Sequence, residues 1–281
     1  MPGAEEKARI AESEPSLAGP LMKRRPFLRS LAGTLALTPR MPAADPPNPP
    51  EDPAFPLNPD EAKALNARLE ADFLAAEAAV KTAPDAVSAY SRRGDAHLFL
   101  GRFREARADF DEMIRRDPHL DVGHWRLGIA LYFIGEFEKS AAQFEKYHRY
   151  DARDRENGIW HFFGRAKVDG IEKARSRMLL YERFDREPFP LLYDMFAGRR
   201  TTADLLAHIA KPELARLGSV QFFGLYYAGV NEALLGNPKK GRTLIGQAVA
   251  HPWGKTSEGG PGYMWNVARL SDVEFFKLKK M

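Results

Sequence analysis

Cysteine is missing from all 281 residues of the chain. That excludes disulfides, thiolate metal sites, a cysteine nucleophile and an acylated lipoprotein cysteine. Also missing is any apolar run of the ~18–20 residues that a membrane-spanning helix requires. An excess of one charge is confined to one end. Of 42 Lys and Arg residues, seven (Lys7, Arg9, Lys23, Arg24, Arg25, Arg29, Arg40) fall within 1–44, against four of 38 acids (Glu5, Glu6, Glu12, Glu14). The rest of the chain is close to neutral. It lacks the concentrated positive stripe of a nucleic-acid surface, so no nucleic-acid partner is expected. Patterns that carry chemistry are equally scarce. The seven histidines (His97, His119, His124, His148, His161, His208, His251) are scattered, with no His-Glu-x-x-His and no carboxylate at metal spacing. There is no Gly-x-Ser-x-Gly elbow. Gly254-Lys255-Thr256 matches the end of a phosphate-binding loop, but Val249 stands where that motif needs its first glycine. Neither a catalytic residue, a cofactor nor a metal is expected.

What is present begins with an address. Lys23-Arg24-Arg25-Pro26-Phe27-Leu28-Arg29 resembles the twin-arginine export signal. A mildly apolar stretch follows, Ser30 to Leu37, and Pro42-Ala43-Ala44 offers small residues for cleavage. Met22 directly precedes the basic run and is read as the true start. Residues 1–44 are therefore expected to be a signal segment. Asp45-Pro46-Pro47-Asn48-Pro49-Pro50-Glu51-Asp52-Pro53 is dense in proline, which fixes φ and removes backbone donors, so 45–59 reads as an extended linker. The folded body, 60–281, is expected to start near Asp60.

Sliding the chain by 34 residues aligns 94–117 with 128–151. The identities are Gly94/Gly128, Ala96/Ala130, Phe99/Phe133, Gly101/Gly135, Phe103/Phe137, Ala108/Ala142, Phe110/Phe144, Arg115/Arg149 and Asp117/Asp151. Nine matches in 24 positions exceed the roughly one or two that average composition gives. The period resembles that of the tetratricopeptide repeat, a helix, a tight turn and a second helix packed back on the first. The resemblance implies an all-α fold, an α-α superhelix of helix–turn–helix hairpins. Gly94 and Gly128 would let paired helices approach, Gly101 and Gly135 would end first helices, and Phe110 and Phe144 would fill the core. Trp160 and Gly164 mark a divergent third copy. Leu225, Gly229, Gly236, Gly241 and Ile245 mark a fourth. Asp60–Thr82 reads as a long amphipathic helix capping repeat one. Short helices are expected at 201–209 and 212–217, and after the turn Glu258-Gly259-Gly260-Pro261-Gly262.

A closer resemblance rests on Leu127-Gly128-Ile129-Ala130-Leu131-Tyr132-Phe133, Gly135-Glu136-Phe137, Trp160-His161-Phe162-Phe163, Phe222-Phe223-Gly224-Leu225-Tyr226-Tyr227 and Leu235-Gly236. These segments, spread over roughly 87–250, are similar to the NlpI type of bacterial envelope lipoprotein. That group consists of tetratricopeptide adaptors that present envelope proteases and cell-wall hydrolases to one another. The resemblance implies a protein or peptide partner of that kind. The chain departs from the group in lacking the lipidated cysteine.

Asp109, Asp111 and Glu112, flanked by Arg107, Arg115 and Arg116, read as a solvated helix surface with i,i+4 pairs Asp111–Arg115 and Glu112–Arg116. In the repeat pattern the inner face is lined by fixed positions of each first helix. These are Ser88, Ser91, Asp95, Leu98 and Phe99 in repeat one and Val122, Trp125, Ile129, Tyr132 and Phe133 in repeat two. The third repeat contributes Gly158, His161, Arg165, Val168 and Asp169. The candidate binding groove is therefore Phe99, Trp125, Ile129, Tyr132, Phe133, His161 and Arg165, aromatic in its middle. The alternative is that these aromatics pack against the C-terminal helices as core. The functional expectation is an exported scaffold, not an enzyme, that holds a protein segment in the cell envelope. A cytoplasmic scaffold of the same fold, or an envelope enzyme or cofactor carrier, are the rival readings.

Overall fold

The structure is a computed structural model that describes residues 57–256 and 262–278, all within the unit Asp45–Met281. The export signal, Met22, nearly all of the proline-rich linker and residues 258–261 of the C-terminal turn lie outside the described residues.

Helix follows helix along the chain. They are α1 (Pro59–Thr82), α2 (Val87–Phe99), α3 (Phe103–Arg116), α4 (Trp125–Phe133), α5 (Phe137–Tyr150), α6 (Arg155–Asp169), α7 (Ile171–Arg175), α8 (Phe189–Phe196), α9 (Thr202–Ile209), α10 (Pro212–Ala215), α11 (Gly218–Leu234), α12 (Pro238–Ala250), α13 (Pro252–Thr256), α14 (Tyr263–Leu270) and α15 (Val273–Phe276). A 3₁₀ turn, Pro118–Gly123, leads into α4. No strand occurs among the described residues. α1 is capped by Asn58, whose side chain accepts the Glu61 N–H, and buries Leu65, Leu69, Ala76 and Val80 on one stripe.

The repeats are visible as one contact made three times. A Cβ added to Gly94 would stand 2.5 Å from the Phe110 ring, one on Gly128 2.6 Å from Phe144, and one on Gly229 2.6 Å from Ile245. In each case the glycine lets a first helix press onto the apolar side chain 16 residues later. The turns repeat as well. Gly101, Gly135 and Gly236 take φ of 75°, 82° and 84°. Each donates its N–H three residues back, to Leu98, Tyr132 and Ala233, while the next residue donates five back, to His97, Leu131 and Glu232. This paired bonding satisfies the carbonyls at a helix end, and only glycine adopts the left-handed backbone without strain. The chain is thus an all-α helical repeat superhelix, with α2–α3, α4–α5 and α11–α12 as clear hairpins.

The third copy diverges because its second helix is short. α7 has five residues, so no long partner meets Gly164. Gly164 presses instead onto α5, where an added Cβ would lie 2.8 Å from the Phe137 carbonyl oxygen.

Two expectations about side chains need correction. Asp109 is not on a solvated surface. It is 4% exposed and receives Arg93 Nε and Nη2 at 2.9 and 2.6 Å, while Arg93 Nη1 reaches Glu77 at 3.1 Å. Asp111 pairs with Arg107 (2.6 Å), while Glu112 takes both Arg115 and Arg116. His97 and His124 pack in the repeat core, with rings 4.9 Å from Phe73 and 5.0 Å from Phe110.

Candidate functional site

The expected groove is not an open channel, because the chain's own C-terminal helices occupy it. Ile129, Tyr132, Phe133 and His161 are buried. The Phe276 ring stacks on Tyr132 at 5.6 Å, Phe275 meets Phe133 edge-on at 5.1 Å, and Tyr132 donates its hydroxyl to the Phe275 carbonyl at 3.1 Å. Arg269 donates to the Phe99 carbonyl at 2.6 Å, and Tyr263 stands edge-on against both Phe99 (4.8 Å) and Trp125 (4.6 Å). The physical reason is surface area: a strip of phenylalanine and tyrosine left in water is unfavourable, and α14 and α15 carry matching aromatics that cover it. His161 and Arg165 lie away from the strip. Burial, helped by the Arg165 charge and nearby His148, lowers the His161 pKa to about 4, and Arg165 bonds to Asp169, which also holds Lys173 and Arg177. The turn glycines Gly135 and Gly170 are 35 residues apart, so Trp160 and not His161 stands where Trp125 stands one repeat earlier. Glu156, Asn157 and Trp160 face the space that Gly158, His161 and Arg165 were expected to line.

That space is a cavity of about 290 Å³ between α4, α6, α11 and the C-terminal helices. It is lined by Trp125, Trp160, Trp253 and Trp265, which are all four tryptophans of the chain, together with Tyr263 and Phe222. Trp125, Phe223, Trp253, Tyr263 and Met264 are half-buried and form its rim. Of the seven groove residues expected, only Trp125 and Ile129 line it.

One end is polar. Asp154 caps α6, accepting the Glu156 N–H at 3.1 Å and the Asn157 side-chain amide at 2.5 Å. Glu156 is buried and accepts Tyr227 Oη–H at 2.7 Å on one oxygen and Arg186 Nη2 at 2.8 Å on the other. Burial pushes its carboxyl up to about 7, with the Arg186 charge pulling the other way. Trp160 Nε1 donates to the same Tyr227 hydroxyl at 3.1 Å, so a chain of bonds runs from indole to carboxylate. Asp95, beside the rim, is pushed up to about 6 by burial despite the 2.6 Å bond from Arg126.

Sequence reasoning missed Glu156, Asn157, Arg186, Trp253, Trp265 and Tyr263. The signal that could have found Trp253 and Trp265 is the scarcity of tryptophan: four in 281 residues, spread over 140 positions yet converging on one space. The Gly254-Lys255-Thr256 tripeptide holds no loop. It forms part of α13, with Gly254 packed against Trp265 and Lys255 paired to Glu61 at 3.3 Å. Among the described residues no group of three or more His, Asp or Glu side chains is placed to hold a metal ion, and no helix is long and apolar enough to cross a membrane.

Residues 72–121 and 92–153 match the family model of the tetratricopeptide repeat. No curated protein matches the chain. The match covers α2–α5, where the glycine contacts and turns repeat most regularly. Repeats of this kind stack into surfaces that bind other proteins.

Proposed function

We propose that the chain is an exported scaffold that holds a segment of a partner protein, and that recognition takes place at the aromatic cavity instead of along an open groove. The observation that carries this reading is the convergence of all four tryptophans on one space with a half-exposed rim. A repeat scaffold that needed only stability would close such a space, whereas rigid aromatics around a reachable hollow suit an inserted side chain. The tetratricopeptide match over 72–153 supports a protein partner. The Lys23–Arg29 pattern supports export, and with it a partner in the cell envelope such as a protease or wall hydrolase.

Affinity capture from native envelopes, with the full chain beside Trp125→Ala/Trp253→Ala, tests the recognition site. Both side chains are at the rim, so the double variant is expected to fold and to lose specific partners. Partners shared equally by both forms would remove the cavity from recognition, and no captured protein at all would end the scaffold reading. Cell fractionation of the full chain beside Arg24→Lys/Arg25→Lys tests export; equal distribution of both forms in the cytoplasm would refute it.

A further inference from the structure

The walls of the cavity are aromatic and its one polar end is acidic. Trp160 and Trp265 donate their indole N–H groups to Tyr227 Oη (3.1 Å) and the Val249 carbonyl (2.9 Å), so what they offer an occupant is ring carbon. The face of an aromatic ring carries the negative end of its quadrupole and attracts a cation, most strongly where water is excluded. At the polar end two carboxylates, Asp154 and Glu156, stand against a single cation, Arg186. Arg186 does not make an anion receptor. Its guanidinium lies 4.1 Å from the Phe189 ring centroid, and it is drawn onto Glu156 (2.8 Å), Asp185 (3.3 Å) and Asp154 (3.6 Å). An incoming anion would meet both lining carboxylates. An uncharged apolar group would suit the rings but leave the excess negative charge of that end, two carboxylates against one guanidinium, unbalanced. Size narrows the choice further: about 290 Å³ is at the bottom of the range for ligand sites, room for one long side chain but not for a nucleotide or flavin.

Resting on the reading of the chain as a protein-binding scaffold, we propose that this cavity receives the cationic side chain of a partner polypeptide, with an Arg or Lys stem between the tryptophans and its charge directed to Asp154 and Glu156. The long aliphatic stem of such a residue packs on ring carbon while its head keeps polar partners. Asp154 serves the site twice, as the cap that starts α6 and as a carboxylate held in position by the Glu156 N–H and the Asn157 amide.

The test exploits the fact that every tryptophan lines the cavity, so indole fluorescence has no other source. The full chain is titrated at pH 8, where Glu156, pushed up to about 7, is ionised, with N-acetyl-arginine amide and N-acetyl-lysine amide. Their uncharged counterparts with aliphatic stems of matched length, the citrulline and norleucine amides, are titrated in parallel, and choline tests for a small-molecule cation. We expect saturable binding of at least one charged amide, confirmed by calorimetry, and binding of its uncharged counterpart weaker by about tenfold or more. Glu156→Gln keeps the acceptor for Tyr227 and should weaken only the charged probe; Asp154→Asn, which still caps a helix, provides a second variant. Equal binding of charged and uncharged amides would overturn the proposal, as would no binding of any probe. Choline binding about tenfold tighter than either amide would overturn the polypeptide source. If the amides bind but envelopes yield no captured protein, the cation site stands and the scaffold reading falls. If envelopes yield partners but no amide binds, the scaffold stands and the cation site falls.

Discussion

Replacing Phe276 with alanine tests whether the C-terminal segment seals the inner face of the repeats. The ring is fully buried, with centroids 5.6 Å from Tyr132, 5.3 Å from Phe163 and 6.4 Å from Trp160. Its removal leaves a void walled by rings on α4 and α6. Those rings are held in turn by Trp160 Nε1 bonded to Tyr227 and Tyr132 Oη bonded to the Phe275 carbonyl, so the void cannot collapse freely. Truncation of a buried phenylalanine costs about 3–5 kcal/mol. In a body of this size each kcal/mol lowers Tm by roughly 2–4 °C, so the expected fall is roughly 6–20 °C. Phe184 is the internal control. It is 75% exposed, and Phe184→Ala should change stability by no more than about 0.5 kcal/mol. Far-UV circular dichroism melts and urea titrations of both variants make the comparison. A loss for Phe276→Ala below about 1 kcal/mol, no larger than for Phe184→Ala, would show that α15 does not fill the groove and that Tyr132 and Phe133 are open for binding.

Gly128→Ala places a Cβ 2.6 Å from the Phe144 ring and is expected to cost about 1–3 kcal/mol in urea titration, with part recovered when Phe144→Leu is added. Arg93→Ala strands the buried Asp109 carboxylate and should cost about 3 kcal/mol or more, whereas Arg107→Ala, whose pair with Asp111 is part-exposed, should stay within about 0.5 kcal/mol in the same titration. Glu156 is faced by Arg186, Asp154, Asp185 and Tyr227, and its folded pKa of about 7 lies above the ordinary glutamate value of 4.5. Between these values the folded state binds the extra proton, so this group's contribution to stability is full below pH 4.5 and is lost as pH rises through 7. Glu156→Gln should therefore gain stability relative to the wild type between about pH 5 and pH 7.5, by roughly 3 kcal/mol at most; a difference that does not change with pH would refute the shift.

The repeats are legible in the sequence because their determinants are local and periodic. Gly128 and Phe144 are 16 positions apart in one hairpin, and that spacing recurs in Gly94/Phe110 and Gly229/Ile245. Residues 60–82 are legible for the same reason, as a stripe of apolar residues at helical spacing ending at Thr82. The burial of Asp109 is hidden because spacing along one helix reveals only neighbours on that helix, and its partner Arg93 sits on α2, offset by the same 16 residues as the glycine contact. The inner register of α6 is hidden because the third copy departs from the strict 34-residue period: its turn glycine Gly170 follows Gly135 by 35 residues, which puts Trp160, not His161, where Trp125 stands one repeat earlier. The filling of the groove is one of two readings the sequence leaves open. α15 has four residues, too few for any period, and its bond to Tyr132 spans 143 positions. Glu156 gives no signal because an acid in the first turn of a helix is ordinarily a solvated dipole partner.

The meeting of the first helix with the end of the chain has a consequence for how the protein can fold and vary. Glu61 of α1 pairs with Lys255 across 194 residues, and Arg269 bonds to the Phe99 carbonyl across 170. A solenoid whose units touch only their neighbours can nucleate anywhere, melt from its ends and lengthen by duplication of a unit. Here the tail is a bolt that locks the earliest hairpins to the last. Such long-range closure raises the mean separation of contacting residues, which slows folding and ties the outer hairpins into one cooperative transition. An inserted repeat would move the bolt out of line with its socket, so the number of hairpins is fixed by the same C-terminal helices, α13 and α14, that help line the cavity.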